Sequence, residues 1–116
     1  MLSTMSSGIP ERDWKLFRQL HSVALERFCE RVLSEIKNAS SACHQSAHER
    51  YLKVFHIVRE ENKQLAALFD DPRRSTAWDQ LCLIRAAALL TNEEMDRFSP
   101  DTQESVKVFV PHLTKR

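Results

Sequence analysis

Residues 16–36 of this chain read LFRQLHSVALERFCERVLSEI and carry the pattern that decides its fold. Every fourth position is apolar, and a neighbouring row at the same spacing is apolar except at His21. The first row consists of Leu16, Leu20, Ala24, Phe28, Val32 and Ile36. Because residues four apart share one face of an α-helix, two apolar rows beside two polar rows predict a long amphipathic helix with a wide buried stripe.

The composition fits a single helical core. The chain has 116 residues, of which 42% are hydrophobic and 28% charged, and a chain of this size builds one core. Gly8 is its only glycine, and the four prolines lie where helices begin or end. We predict a disordered N-terminal tail at residues 1–8 and one helical domain at residues 9–116.

Two further long helices are predicted after the first. Between residues 51 and 69, one row at alternating spacings of four and three is apolar apart from Asn62. It consists of Tyr51, Phe55, Val58, Asn62, Leu65 and Phe69. This spacing predicts the second helix. Residues 81–90 are apolar almost all round, which predicts a third long helix enclosed by protein that begins near Asp71 or Ser75.

Local signals mark the helix ends. Pro10, followed by Glu11 and Asp13, predicts the start of the first helix, because acidic side chains suit the electropositive first turn. The sequences from Ser46 to Glu49 and from Thr91 to Glu94 are capping boxes, and Ser99-Pro100 resembles a cap followed by the first helical position. They predict the starts of the second helix and of two short C-terminal helices. Residues 38–45 are compatible with a loop or with helix.

We therefore predict an all-α bundle of three long helices plus two short C-terminal helices. The first and third helices carry more apolar surface than a lone small chain covers, so we expect a homodimer formed through one of them. The self-association candidates are the most regular apolar positions of the first helix, Leu16, Leu20, Phe28, Val32 and Ile36.

Charge and cysteine content restrict the partners. The chain has 17 basic and 16 acidic residues, so the near balance argues against nucleic acid and anionic membrane surfaces. No apolar run approaches the ~20 residues that span a bilayer. The three cysteines are widely spaced and include no CxxC, which predicts reduced thiols and a cytoplasmic protein.

Histidines form the most suggestive chemical pattern. His44, His48 and His56 lie on one every-fourth row. Two histidines four apart on a helix can hold one metal ion, so His44 and His48 are candidate metal ligands. The alternatives are a solvated face and a surface that responds to pH near neutrality. If the capping box at Ser46 is used, His44 does not lie on the helix.

Four other residues are candidates for ligand or anion binding. Arg85 is the only charge between Asp79 and Glu93, so its guanidinium either reaches solvent, pairs inside the protein, or binds a carboxylate or phosphate. Arg73 and Arg74 directly precede the predicted helix start near Ser75, where a phosphate can bind, although nearby aspartates favour local ion pairing. His21 interrupts an apolar row, which fits a hydrogen-bonded structural histidine better than a catalytic base.

No motif indicates an enzyme or a cofactor. The chain lacks a glycine-rich phosphate loop, GxSxG and the Glu-x-x-His of di-metal bundles. We therefore predict a non-catalytic helical interaction or adaptor module that acts through self-association and binding of a protein partner. One alternative is a small-molecule or metal-binding bundle that uses Arg85 and the histidine row. A nucleic-acid-binding regulator is a second alternative, although Asp101 and Glu104 on its reading helix would face phosphates.

Overall fold

The structure, a computed structural model, describes residues 8–114, with side chains up to His112. All regular elements in this range are helices: α1 Glu11–Ser40, α2 Ala47–Phe69, α3 Ala77–Ala86, α4 Asn92–Met95 and α5 Pro100–Thr114. The all-α prediction is confirmed. Residues 1–7, which hold most of the predicted disordered tail, lie outside the described range, whereas Gly8 is described and buried.

The helix α1 is one continuous element of 30 residues, as the paired apolar rows predict. It extends to Ser40, so the undecided segment 38–45 is helical at its start and a turn thereafter. The capping box at Ser46 is formed: its hydroxyl accepts from the Glu49 amide, and the Glu49 carboxylate accepts from the Ser46 amide. This reciprocal pair starts α2 at Ala47.

The predicted third long helix is wrong in its length. Helix α3 has 10 residues and ends at Ala86 because the chain closes in a Schellman motif. Ala88 adopts a left-handed φ of 60°, and its amide donates to the carbonyl of Arg85 at 2.9 Å. The Leu89 amide donates to the carbonyl of Ile84 at 3.2 Å, and both of these side chains are buried. The apolar run therefore supplies a short helix and a loop in which Leu89 and Leu90 are buried.

The last helix is longer than predicted. Helix α5 has 15 residues and passes through Pro111, which we expected to limit it. A proline removes one backbone hydrogen bond, and this position is in the last turn and leaves the rest of the helix intact. Helix α4 begins at the predicted capping box, where Thr91 and Glu94 exchange hydrogen bonds.

The described residues form two compact units, one of residues 8–24 with 71–114 and the other of residues 25–70. The first unit holds most of the buried apolar side chains. They are Ile9, Leu16, Phe17, Leu20, Ala24, Ala77, Leu81, Cys82, Ile84, Leu89, Leu90, Met95, Phe98 and Val106. The second unit, which we call the hairpin, contains the second half of α1, a turn and α2.

The hairpin turn is held by one arginine. Arg50 Nη1 donates to the carbonyl of Ser40 at 2.8 Å, and its Nε donates to the carbonyl of Gln45 at 3.4 Å. Because these carbonyls lie at the end of α1 and in the turn, Arg50 supplies partners that a helix end lacks. The first turn of α2 is thereby tied to the end of α1.

Candidate interaction surface

The hairpin leaves a row of large apolar side chains in solvent. Tyr51 is 67% exposed, Phe55 55% and Val58 48%, and the polar Asn62 continues the row. We call these four residues the α2 strip. Their spacings of four, three and four place them on one face of α2. Leu52 borders the strip and is also exposed.

An apolar groove lies beside the α2 strip, between the two helices of the hairpin. It has a volume of about 340 Å³, and Cys29, Val32 and Leu33 of α1 face Val58 and Leu65 of α2 across it. Leu33 is 62% exposed, so the groove has an apolar rim as well as an apolar floor. The α2 strip and this hairpin groove share Val58 and Asn62, which makes them one continuous surface.

This surface is as large as the largest apolar patch of a typical soluble monomer. Leu33, Leu52 and the three apolar residues of the α2 strip expose roughly 500 Å² by side-chain area and exposed fraction. The largest apolar patch of a typical soluble monomer is about 300–600 Å² and is often functional. The half-buried groove residues bring the face near the ~800 Å² that one partner contributes to a standard interface.

The predicted self-association residues lie only partly on this surface. Leu16 and Leu20 are buried in the first unit, so they belong to its core. Phe28 is buried in the hairpin, where its ring meets that of Phe69 edge-on at 5.8 Å. Val32 and Ile36 are half-buried and line the hairpin groove. The regular apolar row of α1 is thus mostly covered within the chain.

The spacing of the exposed residues of α2 predicts a helix but does not say which stripe of that helix is covered. Helix α2 carries two adjacent stripes, and the half-buried one consists of Arg50, Val54, Ile57, Glu61 and Leu65. In a two-helix hairpin, each helix buries only one of its stripes well against its neighbour. The sequence feature that indicates the exposed face is the width of the apolar surface of α2, which exceeds what a single neighbouring helix buries.

The histidine row does not form the predicted metal clamp. His44 lies in the turn before the Ser46 cap, and His48 lies on α2. The helical i, i+4 geometry that the metal hypothesis requires is therefore absent. His44, His48 and His56 are all exposed, and no group of three or more His, Cys, Asp or Glu in the described part of the chain can hold a metal ion.

The two adjacent arginines are occupied by partners within the first unit. Arg73 Nη2 lies 2.7 Å from Asp71 Oδ2, which matches the local ion pairing considered from the sequence. Arg74 Nη1 donates to Glu11 Oε1 at 2.8 Å, and Arg74 Nε donates to the carbonyl of Ile9 at 2.8 Å. These contacts give Arg74 a structural role at the start of α1.

The remaining ligand candidates do not converge. Arg85 Nη1 donates to the carbonyl of Leu90 at 2.5 Å and Arg85 Nη2 donates to Asn92 Oδ1, so the guanidinium spans the loop after α3. His21 is half-buried on α1, with its ring edge-on to Phe17 at 5.7 Å. The recess lined by Arg85 has no histidine in its lining. Convergence, which would favour the ligand-binding alternative, is not observed.

The cysteines differ in reactivity. Cys82 is buried in α3, and burial away from water together with the charge of Asp79 raises the pKa of its thiol to about 12. A thiol with such a pKa is not a nucleophile near neutral pH. Cys43 is exposed in the hairpin turn and Cys29 is half-buried at the groove; all three are free thiols.

Neither a search for membrane-spanning helices nor comparison with known proteins assigns a function. No helix within residues 8–114 is both long enough and apolar enough to cross a bilayer. Comparison of the chain with protein-family models, curated proteins and solved structures gives no match.

Proposed function

We propose that this protein is a non-catalytic helical interaction module that self-associates through the hairpin, with the α2 strip of one copy packed against that of a second copy. The observation that carries the proposal is the poor cover of the hairpin. In residues 25–70, all of which are described, the buried apolar side chains are Phe28, Leu68 and Phe69. A unit as small as this hairpin with so few buried apolar side chains is usually stabilised by oligomerisation, metals or disulfides.

The α2 strip suits a second copy because its pattern is the same in both directions. Phe55 and Val58 form the centre, and Tyr51 and Asn62 lie four residues outside them with polar atoms at their tips. In an antiparallel twofold pair, Phe55 of one copy packs on Val58 of the other, and Tyr51 lies opposite Asn62. Alternating spacings of three and four are those of knobs-into-holes packing, and an isologous interface requires such self-complementarity.

Polar groups at the ends of the strip fix the register. Asn62 is exposed in the single chain. A polar residue within an apolar helical seam lowers stability and specifies which layer pairs with which. Beside the seam, Arg59 would lie near Leu52 of the second copy, so the contact brings no like charges together.

Sedimentation velocity at micromolar concentration tests the proposal. We expect the wild type to sediment as a dimer of two 13.5 kDa chains and Phe55→Asp as a monomer with unchanged helical circular dichroism, because a buried carboxylate in the seam has no partner. Val108→Asp is the matched control, since Val108 is 59% exposed on α5, outside the hairpin.

Two outcomes oppose the proposal. A wild type that is monomeric throughout the micromolar range excludes self-association as the role of the surface and leaves the amphipathic helix of another protein as its occupant. A dimer that persists in Phe55→Asp but dissociates in Val108→Asp places the contact on α5 and not on the hairpin.

A further inference from the structure

A recess in the first unit combines an apolar floor with a rim of net positive charge. It has a volume of about 460 Å³ and is formed by the end of α3, α4 and the second half of α5. Met95 and Val106 are buried in its floor, and Val110 is half-buried beside them. This volume lies within the range of small-molecule sites in proteins.

The charge of Arg85 at this recess is not neutralised. Its two hydrogen bonds go to the Leu90 carbonyl and the Asn92 side-chain amide oxygen, and both acceptors are uncharged. None of the salt bridges among the described residues includes Arg85 or Lys107. A guanidinium carries five N–H groups, so the two bonds leave donors for a ligand.

The charge at the rim and the apolar floor together select the ligand class. Arg85 and Lys107 are cationic and Asp96 is anionic, which leaves one net positive charge around the opening. This net charge favours an anion over a neutral ligand, whether a carboxylate or a phosphate. The apolar floor adds affinity for a hydrocarbon chain, at about 25 cal/mol for each Å² removed from water.

We propose that this recess binds a small amphipathic monocarboxylate, with its carboxylate between Arg85 and Lys107 and its alkyl chain on Met95, Val106 and Val110. The inference does not depend on self-association, because every residue it uses lies in the first unit. A purely structural role for Arg85, holding the loop after α3, needs neither Lys107 nor an open recess.

Titration of the full chain with octanoate, followed by amide shifts in two-dimensional NMR, tests the inference. We expect saturable shifts at Met95, Val106 and Val110, and a dissociation constant that rises about fivefold in Lys107→Met, as for the loss of one partly exposed charge pair. Lys107 is exposed, so this variant keeps the fold. Lys53→Met, a matched exposed lysine on α2, should bind octanoate as the wild type does.

Two controls make the result decisive. The uncharged 1-octanol should bind more weakly than octanoate, since it lacks the carboxylate, and inorganic phosphate should also bind more weakly, since it has no hydrocarbon chain to bury on the apolar floor. The inference is overturned if octanoate gives no saturable shifts at the recess, if Lys107→Met binds it as tightly as the wild type, or if 1-octanol binds equally well. None of these results depends on whether the protein is monomeric or dimeric.

Discussion

The carboxylate of Asp13 in α1 accepts a 2.6 Å hydrogen bond from the hydroxyl of Thr102 in α5, although the two residues are 89 positions apart. Asp13 also accepts from the Ser99 amide at 2.9 Å and from the Ser99 hydroxyl at 2.6 Å. It therefore caps the start of α5 from another helix. Both Asp13 and Thr102 are fully buried, so these bonds are shielded from water.

We expect Asp13→Ala to lower the free energy of unfolding by about 3 kcal/mol, because it removes bonds to a charged acceptor and leaves buried donors unpaired. Chemical denaturation followed by circular dichroism measures this loss. Glu104→Ala, an exposed acidic change on the same α5, should alter stability by no more than ~0.5 kcal/mol. Equal effects of the two substitutions would contradict the capping role.

Asp13 also shows what the sequence predicts well and what it does not. Its position after Pro10 correctly indicates the first turn of α1, because that signal is local. Its contact with Ser99 and Thr102 depends on residues distant in sequence, and neither periodicity nor caps specify such pairs. The Ser46 and Thr91 capping boxes were predictable because each joins residues three positions apart. The capping of α5 by Asp13 was not, because its partners lie far away in the sequence.

The same limit applies to the candidate surface. The spacing of the α2 strip correctly predicts a helix, since an amphipathic pattern reports secondary structure. It does not report burial, which depends on how many neighbours cover the helix, and Tyr51 and Phe55 are exposed. Conversely, the apolar run from Leu81 to Leu90 suggests one long helix, because composition does not reveal the left-handed turn at Ala88.

The turn at Ala88 gives a prediction of increased stability. A residue with a side chain in the left-handed region costs about 1–2 kcal/mol relative to glycine. Because Ala88 is exposed and has a φ of 60°, we expect Ala88→Gly to raise the free energy of unfolding by about 1 kcal/mol. Thermal or urea denaturation measures the change.

Ala86→Gly is the matched control for this turn. Ala86 is the last residue of α3, where the same substitution should lower stability by about 0.5–1 kcal/mol. Opposite signs two residues apart are what the Schellman closure requires. If both glycines destabilise the protein, then α3 does not end as described.

The thiols should differ in rate of alkylation. With its pKa raised to about 12, Cys82 has on the order of 0.01% thiolate at pH 8, and it is also buried. We expect iodoacetamide to modify exposed Cys43 in the native protein and Cys82 only after denaturation, as read by mass spectrometry of peptides. Rapid modification of native Cys82 would show that α3 opens readily.

The same pKa predicts a dependence of stability on pH. The unfolded thiol loses its proton near pH 9, whereas the folded thiol keeps it until about pH 12. The unfolded state therefore binds fewer protons between these values, and the contribution of Cys82 to stability falls as the pH rises above 9. Cys82→Ala should show a shallower decline of stability between pH 9 and pH 10.5 than the wild type; an identical slope would contradict the shift.

Phe28 and Phe55 lie on different helices of the hairpin and should respond differently to removal. Phe28 is buried against Phe69, so Phe28→Ala should lower the free energy of unfolding by about 3–5 kcal/mol at every protein concentration.

Phe55 is more than half exposed in the single chain, so Phe55→Ala should matter only where the second copy is bound. Because a dimer is stabilised by mass action, the melting temperature of the wild type should rise with protein concentration, whereas that of Phe55→Ala should not. Melting curves recorded at several concentrations measure both effects. A wild-type melting temperature that is independent of concentration, or a loss of several kcal/mol in Phe55→Ala at the lowest concentration, would show that Phe55 supports the fold of the single chain and not its assembly.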